Sequence, residues 1–439
     1  MPRLVGGFIH SFLRRVHGRS PAICFLMNHP RTSAPTRLPA GTHLQILILA
    51  LLIAFPSTGF VQKYAGLPGV AAYVAVVVGL VFLTAVSVRH LAPWLDRHFR
   101  VLSAVTIAGL GVGFVVLHPF EDGRGPGKSS DRNEGLEIAV SRMARGETPY
   151  YPSNPQAGPL SVLPGSIVLA APFAALGNSG YQNVFWLAAF LIAASRFFQD
   201  KALGLCLLAI PLGISLAAQY EFVSGGDLIA NGIFVAVFFL IALESWTRPA
   251  SSIRLRVLTA LLVGLGLASR ANFLLLVPLF SAAMWRMSGL RNAIAATSLV
   301  VLAMAFITLP FYLHDPAGFT PLLPRQKLAF ADQAVPWAGK AMIGVTLLSA
   351  IVVAGVLLRK RSGDPLVSFF RGCAIVTLVP MIGAVLFASW LNGRFDFEFM
   401  RDRFGLMYVF FALLGWGGIL RALPQQTDGT AACQDGRWN

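Results

Sequence analysis

Apolar residues recur along this chain in stretches of roughly twenty, separated by short polar connections, and that spacing limits the fold more than any other feature. A hydrocarbon layer about 30 Å thick takes about 20 helical residues to cross. No water is present inside it, so each spanning segment must satisfy its own backbone hydrogen bonds and is helical. Composition agrees: 56% of residues are hydrophobic and 12% charged, against about 25% charged in soluble domains. The expected fold is all-α, a polytopic transmembrane helical bundle of about twelve spans. The net charge of +16 does not point to nucleic acid, because the basic residues lie between apolar stretches and in the N-terminal segment, where they face anionic lipid. Cys24, Cys206, Cys373 and Cys433 are too far apart for a zinc motif or a disulfide framework.

The apolar stretches fall at 44–60, 67–88, 101–118, 181–198, 202–220, 227–245, 256–269, 271–285, 291–313, 340–358, 366–391 and 404–421, with a shorter one at 161–177 that holds Pro164 and Pro172. Lys and Arg in short loops set the orientation. If 161–177 dips in without crossing, Arg89, Arg97, Arg100, Arg196, Lys201, Arg248, Arg254, Arg256, Arg286, Arg291, Arg359, Lys360 and Arg361 share one side with both termini. That side reads as cytoplasmic, in a multi-pass plasma (inner) membrane protein. Residues 1–42 read as a basic cytoplasmic tail without a signal-peptide cleavage site, 43–421 as a single transmembrane domain, and 422–439 as a second cytoplasmic tail. The pair 256–269 and 271–285, divided by Arg270, reads either as two short spans or as one broken, re-entrant element. Segments 119–160, 314–339 and 392–403 then lie together on the outer face.

The first of these outer segments is the longest. After a Gly- and Pro-rich stretch at 123–127, a helix is expected from Asp131 to about Gly146. It carries Leu136, Ala139, Val140 and Met143 on one face and Glu134, Glu137, Arg142 and Arg145 on the other, as an interfacial amphipathic helix does. Tyr150 and Tyr151 are placed at headgroup level. Glu121 and Asp122 directly follow a span, so a rigid element holds them at the surface. Asp131 and Glu134 also have the spacing of a helix capping box, which would make them structural. Gly127-Lys128-Ser129 lacks the earlier glycine of a phosphate-binding loop.

The run DRNEGLEIAVSRMARGETPYY, followed by GPLSVLPGSIVLAAPFAALG, resembles GT-C-type integral membrane glycosyltransferases of the mannosyltransferase kind. ASRANFLLLVPL is similar to a small–basic–small turn of that superfamily, and SGGDLIANG to the polar start of another of its spans. The pattern covers roughly residues 100–290. It departs from the superfamily in placing the loop acid after the third span rather than after the first. The resemblance implies an outward-facing inverting transferase that takes sugar from a polyprenyl-phosphate carrier. Its loop acid falls best on Asp131, with Glu121 and Asp122 as rivals for the catalytic base. A carboxylate would take the proton of an acceptor hydroxyl as it attacks the anomeric carbon. The anionic leaving group would need positive charge rather than a second acid.

Candidate substrate-binding residues follow from that requirement: Arg270, which divides two apolar halves; Arg325 and Lys327; Arg401 and Arg403, interleaved with Asp396, Glu398 and Asp402; Glu134 on the loop helix; and Asp227 and Asn231 at the start of a span. Each has a plainer reading, as a snorkelling anchor, a surface ion pair or a carboxylate on a helix dipole. No cage of metal ligands is visible in the spacing, although the loop acids could hold a divalent ion loosely. The expected partners are membrane lipid, the lipid-phosphate sugar donor and a glycan, lipid or protein acceptor. A transporter or lipid flippase with a polar outward gate is the alternative.

Overall fold

Helix is the only regular structure among the described residues, which in this computed structural model are 41–122, 132–151, 159–322, 331–360 and 362–421. α1 (Thr42–Ala54) leads through a short 3-10 turn into α2 (Thr58–Asp122), a helical run interrupted at Gly66, whose φ of 64° favours glycine. α2 cannot be straight. Tyr73 donates to the Ile214 carbonyl (3.2 Å), while His118 meets the Val223 carbonyl (3.0 Å). A straight helix would put Tyr73 and His118 about 67 Å apart, but the chain joining Ile214 to Val223 reaches at most about 32 Å. The run therefore doubles back. Asp96 accepts from the Ala202 amide (2.9 Å), at the opposite end of a helix from Ile214, so the reversal lies near Pro93.

The next elements are α3 (Arg132–Ala144), α4 (Pro164–Ala174), α5 (Tyr181–Phe197), α6 (Lys201–Ile214) and α7 (Leu216–Val223). α6 and α7 meet at 87°. Ser215 makes this corner by capping α7: its hydroxyl accepts from Ala218 and meets the Ser57 hydroxyl at 3.2 Å. α8 (Leu228–Thr247) and α9 (Ile253–Leu267) follow, then a 3-10 stretch (Ala271–Leu276), α10 (Val277–Ser288), α11 (Leu290–His314), α12 (Ala338–Arg359), α13 (Pro365–Leu391) and α14 (Leu406–Trp416). Among the described residues six stretches are long and apolar enough to cross a membrane: Thr42–Glu121, Leu228–Thr247, Ala271–Ser288, Leu290–His314, Ala338–Arg359 and Pro365–Leu391; the bent pair α6 and α7, taken as one span, adds a seventh. This is an all-helical architecture with the apolar spans of a membrane protein.

Burial separates the helices by role. α8 is sheathed on nearly all sides, and Phe234, Phe239 and Leu243 are fully covered. α11 and α12 instead turn Phe306, Leu302, Ile351 and Leu348 outward, as helices against lipid do. α4, at 11 residues, extends only about 16 Å. Both of its ends sit at the same end of the bundle: Leu163 and Gly165 donate to Ser269 and Ala268 carbonyls, and Asn178 and Ser179 meet His118, Glu137 and Asn133. The stretch 161–177 thus begins and ends at that one end of the bundle.

α3 differs in one respect from the interfacial helix expected of its sequence. Leu136 and Ala139 are covered by Leu160, Val162, Leu163, Ile167 and Phe319, and Asn133 is buried too. Protein rather than open surface takes up its apolar face. Tyr150 and Tyr151 are likewise buried, Tyr150 packing edge-on against Phe311 and Phe319.

Close packing of α4 on α9 requires Gly165, where a Cβ would lie 2.3 Å from the Leu265 carbonyl oxygen and 2.6 Å from that of Ala268. Backbone on both sides cannot yield. Gly165→Ala is expected to cost about 1–3 kcal/mol, read as a lower Tm of the purified protein in detergent. Gly109→Ala, which meets nothing within 4 Å, should not lower it.

Candidate functional site

Among the described residues, most of the buried charged side chains gather around the turn between α7 and α8. Glu221 lies in the last turn of α7, and the chain then reverses through Ser224, Gly225 and Gly226 before α8 begins. Gly225 has a φ of 70° and packs against Gly180, which lets α5 approach. Gly226 leaves room for the Glu221 carboxylate to fold over the turn, since a Cβ there would lie 2.2 Å from Oε1. Oε1 accepts from the Leu228 amide at 3.0 Å, giving one of the first backbone N–H groups of α8 a charged partner.

Glu221 is completely buried and holds two guanidinium groups. Arg403 Nε donates to Oε2 at 2.7 Å and Arg132 Nη1 to Oε1 at 3.2 Å. Arg403 comes from the segment before α14, and Arg132 opens α3. Arg403 has a φ of 60°, a left-handed conformation that costs a residue with a Cβ about 1–3 kcal/mol. The ion pair, together with stacking of its guanidinium 4.5 Å from the Tyr220 ring centre, holds it there. The Tyr220 hydroxyl donates to Glu121, which is itself buried. Arg132 lies over the Phe404 ring at 5.3 Å. An unbroken chain of contacts thus runs from Glu121 through Tyr220 and Arg403 to Glu221 and Arg132.

A second buried pair adjoins it. Arg270 Nη2 donates to both oxygens of Asp227, at 2.5 and 2.6 Å, and Asn231 Nδ2 donates to Oδ2 at 2.7 Å. Ser166, from α4, donates to Asp227 Oδ2 and Asn231 Oδ1, and Ser161 accepts from Arg270 Nη1 at 3.4 Å. The short helix α4 therefore contributes directly to this pair. Asp227 stands at the N-cap of α8 without capping it through its side chain, because its oxygens are committed to Arg270 and Asn231.

His118 borders the cluster. Its Nδ1 faces the Val223 carbonyl, which only accepts, so Nδ1 carries the proton, and Nε2 accepts from Asn178 at 2.9 Å. The ring stacks on Phe114.

The expected site residues divide as follows. Glu121, Arg403, Asp227, Asn231 and Arg270 come together at one end of the bundle. Glu134 is half-buried on α3, one turn from Glu137, which accepts from the Ser179 amide. Arg401 stands apart: it is exposed and pairs with Glu398 at 2.6 Å, as a surface ion pair does. Asp122 is the last residue of α2. Asp131, Arg325 and Lys327 lie outside the described residues. Among the described residues no three His, Cys, Asp or Glu side chains converge as metal ligands. Glu221 and Arg132 were not anticipated from the sequence, yet Glu221 is the hub. Its signal was an acid one residue past the apolar stretch 202–220, where a charge is costly without a partner.

No family model, curated protein or solved structure matches this chain. The reading of the site rests on its geometry.

Removing one member of a buried pair strands the other, at about 3–5 kcal/mol. Arg270→Ala is expected to destabilise by that order, whereas Asp227→Ala/Arg270→Ala should cost clearly less than the two single changes summed. Thermal unfolding of the four proteins in one detergent measures the coupling.

Proposed function

We propose that this protein is an inverting glycosyltransferase that moves a sugar from a polyprenyl-phosphate carrier to an acceptor at the membrane surface where Glu221 lies. The reading takes the chain to cross the membrane twelve times, with both termini on the cytoplasmic side of a plasma (inner) membrane. In support of that count, α2 doubles back, α4 returns to the end it came from, and α9 links the Arg256–Arg248 contacts at one end to Arg270 at the other. The resemblance of residues 100–290 to GT-C-type enzymes supports the activity.

One observation carries the proposal: the contact chain from Glu121 to Arg132 puts two carboxylates, Glu121 and Glu221, and two guanidinium groups in one cluster. In the proposed step Glu121 accepts the proton of the acceptor hydroxyl. That oxygen bonds to the anomeric carbon from the face opposite the leaving group. The bond from the anomeric carbon to the phosphate oxygen breaks, and its electron pair leaves with the lipid phosphate. Arg403 and Arg132 stabilise the charge that develops there. Asp227 and Asn231, held by Arg270 and Ser166, face the sugar hydroxyls.

A carrier is the second reading. It is favoured by the 87° bend between α6 and α7 and by the placing of Asp227 and Arg270 at helix breaks, an arrangement transporters use.

Purified protein supplied with a panel of polyprenyl-phosphate hexoses and an acceptor glycan should form a new glycosidic bond. Glu121→Gln should lower the rate about 100-fold or more without lowering Tm. Full activity in Glu121→Gln would remove Glu121 as the base. Movement of the lipid-linked sugar across proteoliposomes without any bond formed would establish the carrier instead.

A further inference from the structure

At the end of the bundle away from Glu221, α11 and α12 each pack along α10 rather than on one another, which leaves a groove floored by α10. It is about 440 Å³ and is lined by Ser281, Trp285, Ala293, Thr297, Ala354 and Leu358 among others. Two of its few polar groups are already used within the protein: the Ser281 hydroxyl bonds the Val277 carbonyl and meets Thr297 Oγ1 at 2.9 Å. The groove therefore offers an occupant apolar contact and little hydrogen bonding.

Its mouth is different. The groove runs out at the turn between α10 and α11 and at the C-terminal end of α12, and the residues next to its lining are basic. Arg286 follows Trp285, Arg291 follows Leu290, and Arg359 and Lys360 follow Leu358. Arg291, Arg359 and Lys360 are exposed. Arg286 reaches across to the Leu357 and Gly363 carbonyls at 3.4 and 3.5 Å, tying the mouth together. The nearest acid in sequence is Asp364, whose side chain is occupied in capping α13. Four basic residues thus adjoin the lining of this largely apolar groove.

From this arrangement we infer that the groove between α11 and α12 is a binding site for an anionic phospholipid, with an acyl chain along α10 and the phosphate among Arg286, Arg291, Arg359 and Lys360. Charge complementarity selects the occupant. A zwitterionic lipid carries its own cation, whereas an anionic headgroup takes the full attraction of the rim. A soluble anion would leave the apolar slot empty, and a neutral lipid would leave the cations unmatched. The site is separate from the Glu221 cluster and does not depend on the activity proposed for it.

The test uses the full chain, delipidated in detergent, with Tm and native mass spectrometry read during titration with phosphatidylglycerol, phosphatidylcholine or inorganic phosphate. Phosphatidylglycerol should raise Tm and remain bound, while phosphatidylcholine and phosphate should do neither. Arg291→Gln/Lys360→Gln, both exposed and so tolerated by the fold, should weaken phosphatidylglycerol binding on the order of 30-fold. Ser298→Phe, an exposed change that fills the slot from its open side, should weaken it with the basic rim intact. Equal shifts with phosphatidylcholine, a shift with phosphate alone, or unchanged binding in both variants would overturn the assignment.

Discussion

The carboxylate of Glu221 is buried beside two guanidinium groups that come from far apart in the chain, and the arrangement of the surrounding end of the bundle depends on that contact. A buried carboxylate without partners is costly enough to abandon its charge or its place. Here Arg403, Arg132 and the first amide of α8 all reach it. In doing so they fix the left-handed backbone at Arg403, the start of α3 and the entry into α8. Tyr220, one residue earlier, passes the same constraint to Glu121 at the end of α2. Three chain-distant segments and the entry into α8 are thereby held by one turn of helix.

The second pair, Asp227 with Arg270, works by the same physics on a different set of elements. It joins the start of α8 to the break after α9 and draws in α4 through Ser166. α4 is too short to cross a membrane, and its place is set by close backbone contact at Gly165 and by this polar contact. The two pairs share the turn 221–228, so movement at one is felt at the other. An arrangement of this kind is suited to holding charged groups in fixed positions, as a site for an anionic leaving group requires.

Much of the fold was legible because hydropathy and loop charge are strong signals in lipid. The apolar stretches appear as helices near their expected places, and within 161–177 only the short helix α4 forms. The site was legible in part. Arg270, Asp227 and Asn231 stood out as polar residues within apolar sequence, and Glu121 as an acid at a span end. Glu221 did not, because it falls where the α7 bend ends an apolar stretch, a place in which a charge passes for a loop residue. Arg132 and Arg401 show the same limit from opposite sides. Only packing distinguishes an arginine drawn onto a buried carboxylate from one paired at the surface with Glu398. For α3 the apolar face was readable from its periodicity, but not that Leu160, Ile167 and Phe319 would cover it.

The most direct measurement is an electron cryomicroscopy map of the protein in lipid nanodiscs with a non-hydrolysable polyprenyl-phosphate sugar bound. The account predicts density for the phosphate within hydrogen-bonding distance of Arg403 or Arg132, and the sugar ring between Glu121 and Asp227. Phosphate density elsewhere, with Glu221 still closed on both arginines and Glu121 facing no ligand, would contradict it.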